Sequence, residues 1–392
     1  MTYLLLTLIY ISFVSLGLPD SLLGSAWPTM QTSLNVPLSY ASYISMLMSV
    51  GTVISSLMSD RIIKKFGTGK VVAFSTALTA LSLFGYSVSS SYPMLLILAV
   101  PNGLGAGAID AALNNYVALN FSSRHMSWLH CMWGLGTVVG PYIMGYTLTH
   151  GSSWNGTYRT IALIQITLTV VLLLSLPIWK YHAKRVSESE GDTVPSRSLS
   201  LKEIFALPGA AQFIFTFFCY CALEITPIVW SGSYLVHTCG YSTEKAASLS
   251  GMFFMGITLG RAVGGFLTYK FSDKTMIRIG CTIIAIATVM LLLPLGKYVT
   301  LAGLLMIGLG CAPIYPSIMH STPEYFGKEN SSALIGVQMA SAYTGFCLMP
   351  PVFGFIADKV GVSIFPVTVG CLLVLLFAMH ERLLKQVKKA NA

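Results

Sequence analysis

The sequence predicts an all-α membrane protein with twelve transmembrane helices in two pseudo-symmetric bundles of six. The first observation is the composition: 54% of the 392 residues are hydrophobic and 9% are charged, whereas a soluble domain carries about 25% charged residues. The second is a succession of apolar stretches of about 20 residues, each long enough to cross a bilayer. The third is an internal repeat, in which the second half of the chain echoes the first.

The apolar stretches follow one another along the whole chain, and short polar turns separate them. Because lipid cannot hydrogen-bond the backbone, each stretch is expected to be helical. Residues 1–10 lack the basic start of a signal peptide, so the first helix is expected to be retained. The twelve predicted spans are residues 4–30, 38–58, 70–90, 94–119, 126–149, 158–180, 208–236, 243–268, 275–296, 299–323, 330–357 and 361–380.

One long polar stretch separates six predicted helices from the other six, and we interpret it as a cytoplasmic linker. It is rich in Ser, Glu, Lys and Arg. The predicted domains are a six-helix bundle over residues 1–180, the linker over 181–206 and a second six-helix bundle over 207–392.

Motifs of the first half recur in the second half, in the same order and at an offset of about 205 positions. Gly103-Leu-Gly105 recurs as Gly308-Leu-Gly310, and Asp20 aligns with Glu224. Two parallel-related halves of this kind are typical of transporters that bind their substrate at the interface of the repeats.

The distribution of the basic residues predicts the orientation in the membrane. If the N-terminus is inside, 18 of the 23 Lys and Arg residues fall in cytoplasmic segments and four in external loops. This positive-inside bias predicts a multi-pass protein of the cytoplasmic (inner) cell membrane with both termini in the cytoplasm. It also explains the net charge of +9 without a nucleic-acid partner.

Three carboxylates lie inside predicted spans, and we interpret Asp20, Asp110 and Glu224 as proton-coupling residues. A charge at the bilayer centre costs roughly 2.5 kcal/mol or more, so such residues usually face a cavity and carry protons or substrate. Pro19 precedes Asp20 and Pro227 follows Glu224, and proline weakens a helix. Both acids are therefore expected at helix bends.

Polar and aromatic side chains near these acids are candidates for the substrate site. Asn114 lies four positions after Asp110 and so shares its helix face. An acid and an amide together can donate to and accept from the hydroxyls of a polyol. Arg261, within the eighth span, is expected to reach towards the surface or to pair with a loop acid. The predicted substrate-binding residues are Asn114, Asn115, Trp27, His130, Trp133, Trp230, Tyr315, Gln338 and Tyr343.

The loop between the second and third spans resembles a signature of the major facilitator superfamily. It runs from Ser59-Asp60-Arg61 to Lys64-Lys65-Phe66-Gly67. Its residues Asp60, Arg61 and Lys65 are expected to lock one conformational state by pairing at helix ends.

Within that superfamily the chain most resembles the fucose and glucose/galactose proton symporters, the fucose permease-like group. The resemblance implies the major facilitator fold and proton symport of a monosaccharide. The motifs that carry it are Gly17-Leu-Pro-Asp20-Ser, Gly105-x-Gly107-x2-Asp110-x3-Asn114, His130-x2-Trp133-Gly134-x-Gly136, Gly260-Arg261-x2-Gly264-Gly265, Pro316 and the Pro350/Gly354 pair.

The sequence therefore predicts a secondary active transporter, and not an enzyme, that imports a monosaccharide or similar small polar solute with protons by alternating access. It contains no nucleotide-binding motif, metal-ligand cluster or nucleophile triad, so no cofactor is expected and a proton gradient is the expected energy source. The expected partners are a sugar, protons and the lipid bilayer, and the chain is expected to be a monomer.

The alternative is a proton-coupled antiporter that exports drugs or amphipathic metabolites. Gly136-x3-Gly140-Pro141 resembles the signature of proton antiporters. The many Met residues are also suited to adaptable binding surfaces. A flippase, a facilitator and a sensor that does not transport are the remaining alternatives.

Overall fold

The computed structural model describes residues 2–36, 40–150, 153–182, 199–241, 243–293 and 296–390. Within them the chain is helical and contains no strand, which confirms the all-α class. The helices are α1 (Thr2–Asp20), α2 (Leu22–Leu34), α3 (Ala41–Phe66), α4 (Thr68–Val88), α5 (Tyr92–Asn120), α6 (Ser123–Thr149), α7 (Trp154–Leu174), α8 (Leu201–Ala206), α9 (Ala210–His237), α10 (Thr243–Leu267), α11 (Asp273–Leu292), α12 (Lys297–Phe326), α13 (Lys328–Val360) and α14 (Phe365–Ala390).

Eleven helices among the described residues are long and apolar enough to cross a membrane. The first of these, Tyr3–Gly24, runs through the break between α1 and α2. Helix α6 is the remaining predicted span. It has 27 residues, and its Gly, Thr and Tyr residues lower its hydropathy.

The contacts between Cα atoms divide the chain into two units. Unit 1 comprises Met1–Tyr116 and Leu129–Ser198, and unit 2 comprises Val117–Trp128 and Leu199–Ala392. The short segment 117–128 joins unit 2 because Ser123 Oγ donates to Asp273 Oδ1 at 2.5 Å, and because His320 Nε2 donates to the Phe121 carbonyl at 3.0 Å.

The predicted boundary between the bundles stays a prediction. Of the predicted linker 181–206, residues 183–198 lie outside the described residues. The end of the linker contains the short helix α8, which begins with a capping box. In it, the Glu203 amide donates to Ser200 Oγ and the Ser200 amide donates to the Glu203 carboxylate.

Close helix contacts through glycine repeat in the two units. In unit 1, a Cβ on Gly51 of α3 would clash with the backbone of α5 around Gly103. In unit 2, a Cβ on Gly256 of α10 would clash with the backbone of α12 around Gly308. Small residues allow two backbones to approach in this way. The contacts fall on the residues that the sequence repeat aligns.

In each unit, the helix that carries the acid also packs closely against a second helix at a glycine. In unit 1, Gly17 of α1 lies against α6 at the Trp133 carbonyl, and Gly136 of α6 lies against α1 at the Val14 carbonyl. In unit 2, Gly345 of α13 lies against α9 at the Phe218 carbonyl. The acids Asp20 and Glu224 therefore lie near close crossings in their own units.

Candidate functional site

Asp20 lies at a break in the first membrane-spanning segment. Helix α1 ends at Asp20, Ser21 adopts a turn, and α2 begins at Leu22, as expected next to Pro19. The indole Nε1 of Trp133 donates to Asp20 Oδ2 at 2.8 Å. Leu18 and Pro19 are buried, whereas the Asp20 side chain is exposed. The break thus places an exposed carboxylate within a membrane-spanning segment, where the neutral indole of Trp133 donates to it.

Asp110, Asn114 and His130 form a buried chain of hydrogen bonds between α5 and α6. Asn114 Nδ2 donates to Asp110 Oδ1 at 2.7 Å and to the Asp110 carbonyl at 2.9 Å. His130 Nε2 lies 3.0 Å from Asn114 Oδ1 and donates to it, since an amide oxygen can only accept. The side chains are 6%, 0% and 4% exposed, respectively. The predicted shared face of Asp110 and Asn114 is therefore present.

Glu224 of α9 forms an ion pair with Arg261 of α10. Arg261 Nη2 lies 3.1 Å from Glu224 Oε1, and the side chains are 3% and 6% exposed. The expectation that Arg261 reaches the surface or pairs with a loop acid is wrong. The physical reason is that a buried guanidinium needs an opposite charge at contact distance, and Glu224 supplies it inside the unit.

Two tyrosines, Tyr220 and Tyr315, lie near this ion pair in unit 2. The Tyr220 hydroxyl donates to the Cys311 carbonyl at 3.1 Å. Tyr315 packs edge-on against Phe217, with ring centroids 4.8 Å apart, and its hydroxyl donates to Met339 Sδ at 3.5 Å. The sequence places Tyr315 among the predicted substrate ligands but gives no sign of Tyr220, because a tyrosine in an apolar helix is ordinarily a packing residue.

Two further predicted ligands in unit 2 carry polar atoms that no described residue binds. Gln338 is 0% exposed, and its Oε1 accepts a hydrogen bond from Thr322 at 3.2 Å, but its Nε2 has no partner among the described residues. The indole nitrogen of Trp230 likewise has no partner among the described residues. The Trp230 ring lies 5.1 Å from the Phe353 ring. Buried donors of this kind usually have a partner, often water or a ligand.

The remaining predicted ligands have other surroundings. Trp27 is 4% exposed and belongs to an apolar cluster of unit 1 with Leu22, Met30 and Ile44. Asn115 is 4% exposed. Tyr343 is half-buried, with its ring 6.4 Å from that of Phe346. Their role in binding a substrate stays a prediction.

In the loop signature, Asp60 is 5% exposed and pairs with Lys64 of its own helix at 3.0 Å. Arg61 and Lys65 are exposed, and the Lys65 ammonium lies 5.3 Å from the centre of the Phe66 ring. No group of three or more His, Cys, Asp or Glu side chains that could hold a metal ion occurs among the described residues.

The sequence model of one family, described as Major Facilitator Superfamily, matches residues 9–350 and 249–391. The chain belongs to the Major Facilitator Superfamily. Membership makes it a transporter of the superfamily type, and the helical architecture described above is that of the superfamily.

Three proteins illustrate the similarity to other superfamily members. Bypass of stop codon protein 6 of Saccharomyces cerevisiae is 24% identical, over 91% of this chain and 77% of its own length. The glucose/mannose transporter GlcP of Bacillus subtilis is 21% identical, over 78% of this chain and 77% of its own. The structure of the E. coli fucose:proton symporter FucP (N162A) superposes with a TM-score of 0.74 at 15% identity, covering 96% of this chain and 98% of FucP.

Proposed function

We propose that this superfamily transporter imports a monosaccharide or a similar small polar solute together with protons. The observation that carries the proposal is Asp20, an exposed carboxylate at a helix break within a membrane-spanning segment. An ionisable group at this depth is usually functional. Asp110 and Glu224 are the other proton-coupling candidates, and both are buried.

Hydrogen-bonding capacity in the interior of unit 2 supports a polar substrate. Gln338 and Trp230 present donors without partners among the described residues, and Tyr315 adds a hydroxyl. A sugar could satisfy one of these donors at a time, because Trp230 packs against Phe353, which lies 15 positions from Gln338 on α13 and so about 22 Å along the helix. At Trp230 it could also stack a C–H face on the indole ring. The similarity to GlcP and FucP, whose names specify glucose, mannose and fucose, supports the same substrate class.

The cellular setting follows from the same proposal. The protein lies in the cytoplasmic (inner) membrane as a monomer, with both termini in the cytoplasm. Its partners are the solute, protons and lipid, and it neither uses a cofactor nor binds nucleic acid. The proton gradient supplies the energy.

The test is transport by purified protein in lipid vesicles with the outside made acidic. The probes are radiolabelled D-glucose, D-mannose, L-fucose and D-xylose. We expect accumulation of at least one sugar, and we expect a protonophore to abolish it. Asp20→Asn should lose this accumulation and keep counterflow exchange, because exchange needs no net proton movement. Sugar accumulation that does not depend on the pH gradient would exclude proton coupling.

The antiport alternative has less support. A Cβ on Gly136 or Gly140 would clash with the α1 backbone at the Val14 and Leu18 carbonyls, respectively. Close packing of α6 on α1 therefore accounts for both glycines. The same vesicles decide between the two functions, since proton-driven export of a cationic dye without any sugar uptake would favour the antiporter.

A further inference from the structure

We propose that Asp110, Asn114 and His130 form one proton-handling chain, in which the Asn114 amide couples the two titratable ends. The inference rests on the proposed proton coupling and specifies how it is built. It assigns Asn114 and His130 to proton handling, whereas the sequence places them among the sugar ligands.

Hydrogen bonds with Asp110 and His130 occupy both polar atoms of the Asn114 amide. Its Nδ2 donates to the Asp110 carboxylate and carbonyl, and its Oδ1 accepts from His130. Asn114 is also fully buried. A sugar hydroxyl could bind this amide only by displacing one of these partners. The amide is therefore placed to connect Asp110 with His130.

The three side chains have two arrangements that keep the hydrogen bonds between them. In the present one, Nε2 of His130 carries a proton and Asp110 accepts as a carboxylate. Rotating the Asn114 amide by about 180° exchanges its donor and its acceptor. Its Oδ1 then accepts from a protonated Asp110, and its Nδ2 donates to a deprotonated Nε2. The hydrogen bonds between the three side chains are made in both arrangements, whereas the bond from Asn114 Nδ2 to the Asp110 carbonyl is made only in the present one.

The two arrangements contain the same number of protons. In the first, the imidazole holds protons on Nδ1 and Nε2 and the carboxyl holds none; in the second, the imidazole keeps the Nδ1 proton and the carboxyl holds the other. Conversion breaks the Nε2–H bond, with the proton passing to water, and forms an O–H bond on Asp110 with a proton from water. No bond of the amide breaks. Because the Asn114 oxygen accepts from His130 in one arrangement and from Asp110 in the other, a proton on His130 Nε2 disfavours a proton on the Asp110 carboxyl.

The charged residues of the helices that pack around Asp110 and His130 lie on α1, α3, α4, α5 and α6. Asp110 is the sole charged residue of α5, and Asp20 is the sole charged residue of α1. On α6 itself, Arg124 and His125 lie more than one turn before His130. The Phe13 ring of α1 meets the His130 ring edge-on, with centroids 5.5 Å apart, and adds no charge.

Helix α3 crosses α5 at Gly51 and Gly103 and carries the charged residues Asp60, Arg61, Lys64 and Lys65, of which Asp60 pairs with Lys64. Helix α4 packs on α5 at Gly105 and carries Lys70. Among the acids of these helices, Asp110 is the one that hydrogen bonds connect to His130 through Asn114.

The first experiment needs no substrate. Infrared difference spectroscopy of the purified protein, titrated with acid, follows the band of the protonated Asp110 carboxyl, which Asp110→Asn identifies by its loss. In His130→Gln, an amide still donates to Asn114 but cannot lose a proton. We expect the midpoint of the Asp110 band to move to higher pH by about one unit or more, because interacting groups titrate as a pair.

The variant Asn114→Leu should move the midpoint similarly, and adding His130→Gln to it should move it little further. The matched control is Asn102→Leu on the same helix. Asn102 is 3% exposed, and its amide contacts Met48 Sδ at 3.9 Å, away from the hydrogen bonds of Asp110, Asn114 and His130. This control should leave the midpoint unchanged. An unchanged midpoint in His130→Gln, or fully additive shifts in the double variant, would overturn the proposal.

The second experiment distinguishes proton handling from sugar binding, with D-glucose and L-fucose as probes in vesicles. His130→Gln should keep the half-saturating sugar concentration for counterflow within about twofold, while pH-driven accumulation falls about tenfold or more. A tenfold loss of counterflow affinity, about 1.4 kcal/mol, with intact pH dependence would make His130 a sugar ligand. If the wild type transports neither sugar, the proposed function fails on these probes. The infrared titration then still tests whether Asn114 couples Asp110 to His130.

Discussion

At the scale of single residues, the two acids at equivalent positions of the repeat have acquired different partners. Asp20 is exposed and accepts a hydrogen bond from the neutral indole of Trp133. Glu224 is buried and paired with Arg261. A buried ion pair costs desolvation on both sides, and its loss is felt most when one charge is left alone. Asp20 is therefore an exposed acid, whereas the charge of Glu224 is neutralised by Arg261.

This difference predicts how unit 2 responds to loss of one charge. Arg261→Met leaves the Glu224 carboxylate buried without its cation and should lower the free energy of unfolding by about 3–5 kcal/mol. The double variant Glu224→Leu/Arg261→Met should be less destabilised than Arg261→Met alone. The control is Arg278→Ala, which breaks a pair with Glu381 whose side chains are 52% and 28% exposed. That change should cost about 1 kcal/mol or less.

Thermal unfolding in detergent measures the order of these variants. Equal melting temperatures for Arg261→Met and Arg278→Ala would contradict the prediction, and so would additive losses in the double variant.

At the scale of helices, glycine contacts set how closely neighbouring helices pack. Gly256 and Gly308 lie back to back where α10 crosses α12, and Gly51 and Gly103 do so where α3 crosses α5. In lipid, close packing and hydrogen bonds hold helices together because the tails are as apolar as the side chains. The glycines of the repeat therefore act as contact points.

A matched pair of substitutions on α10 tests this role. Gly256→Ala introduces a Cβ that clashes with the α12 backbone, and such overpacking costs about 1–3 kcal/mol. Gly264→Ala adds a Cβ with no other atom within 4 Å, and alanine favours a helix by about 1 kcal/mol. Thermal unfolding should show a lower melting temperature for Gly256→Ala and no loss for Gly264→Ala. The reverse order would exclude Gly256 as a contact point.

At the scale of the whole molecule, the number of spans and the distribution of basic residues together predict the topology. Among the described residues, the turn at Ser91 precedes α5 and the turn at Ser272 precedes α11, and both side chains are exposed. With the N-terminus inside, Ser91 lies outside the cell and Ser272 lies in the cytoplasm.

Cysteine labelling of intact cells tests this orientation. A membrane-impermeant maleimide should react with Ser91→Cys from outside. It should react with Ser272→Cys only after the cells are opened. The wild type serves as the background for native thiols, of which Cys347 and Cys371 are exposed. Labelling of Ser272→Cys in intact cells at the rate of Ser91→Cys would mean that the orientation is wrong.

The sequence by itself determined the class of the protein, its helices and its internal repeat. These properties depend on composition, on apolar length and on spacing, which need no knowledge of which residues meet in space. The helix break after Pro19 was also predictable, since proline acts on its immediate neighbours. The face shared by Asp110 and Asn114 followed from helix geometry alone.

Tertiary structure decided the partners of the polar residues. Arg261 pairs with Glu224, 37 positions away, and His130 binds Asn114, 16 positions away on the next helix. Trp27, predicted as a substrate ligand, packs in an apolar cluster with Leu22, Met30 and Ile44. No periodicity fixes such pairs, because the crossing and rotation of packed helices bring them together. Burial then requires each charge and amide to find a partner, and only the packed chain determines which one.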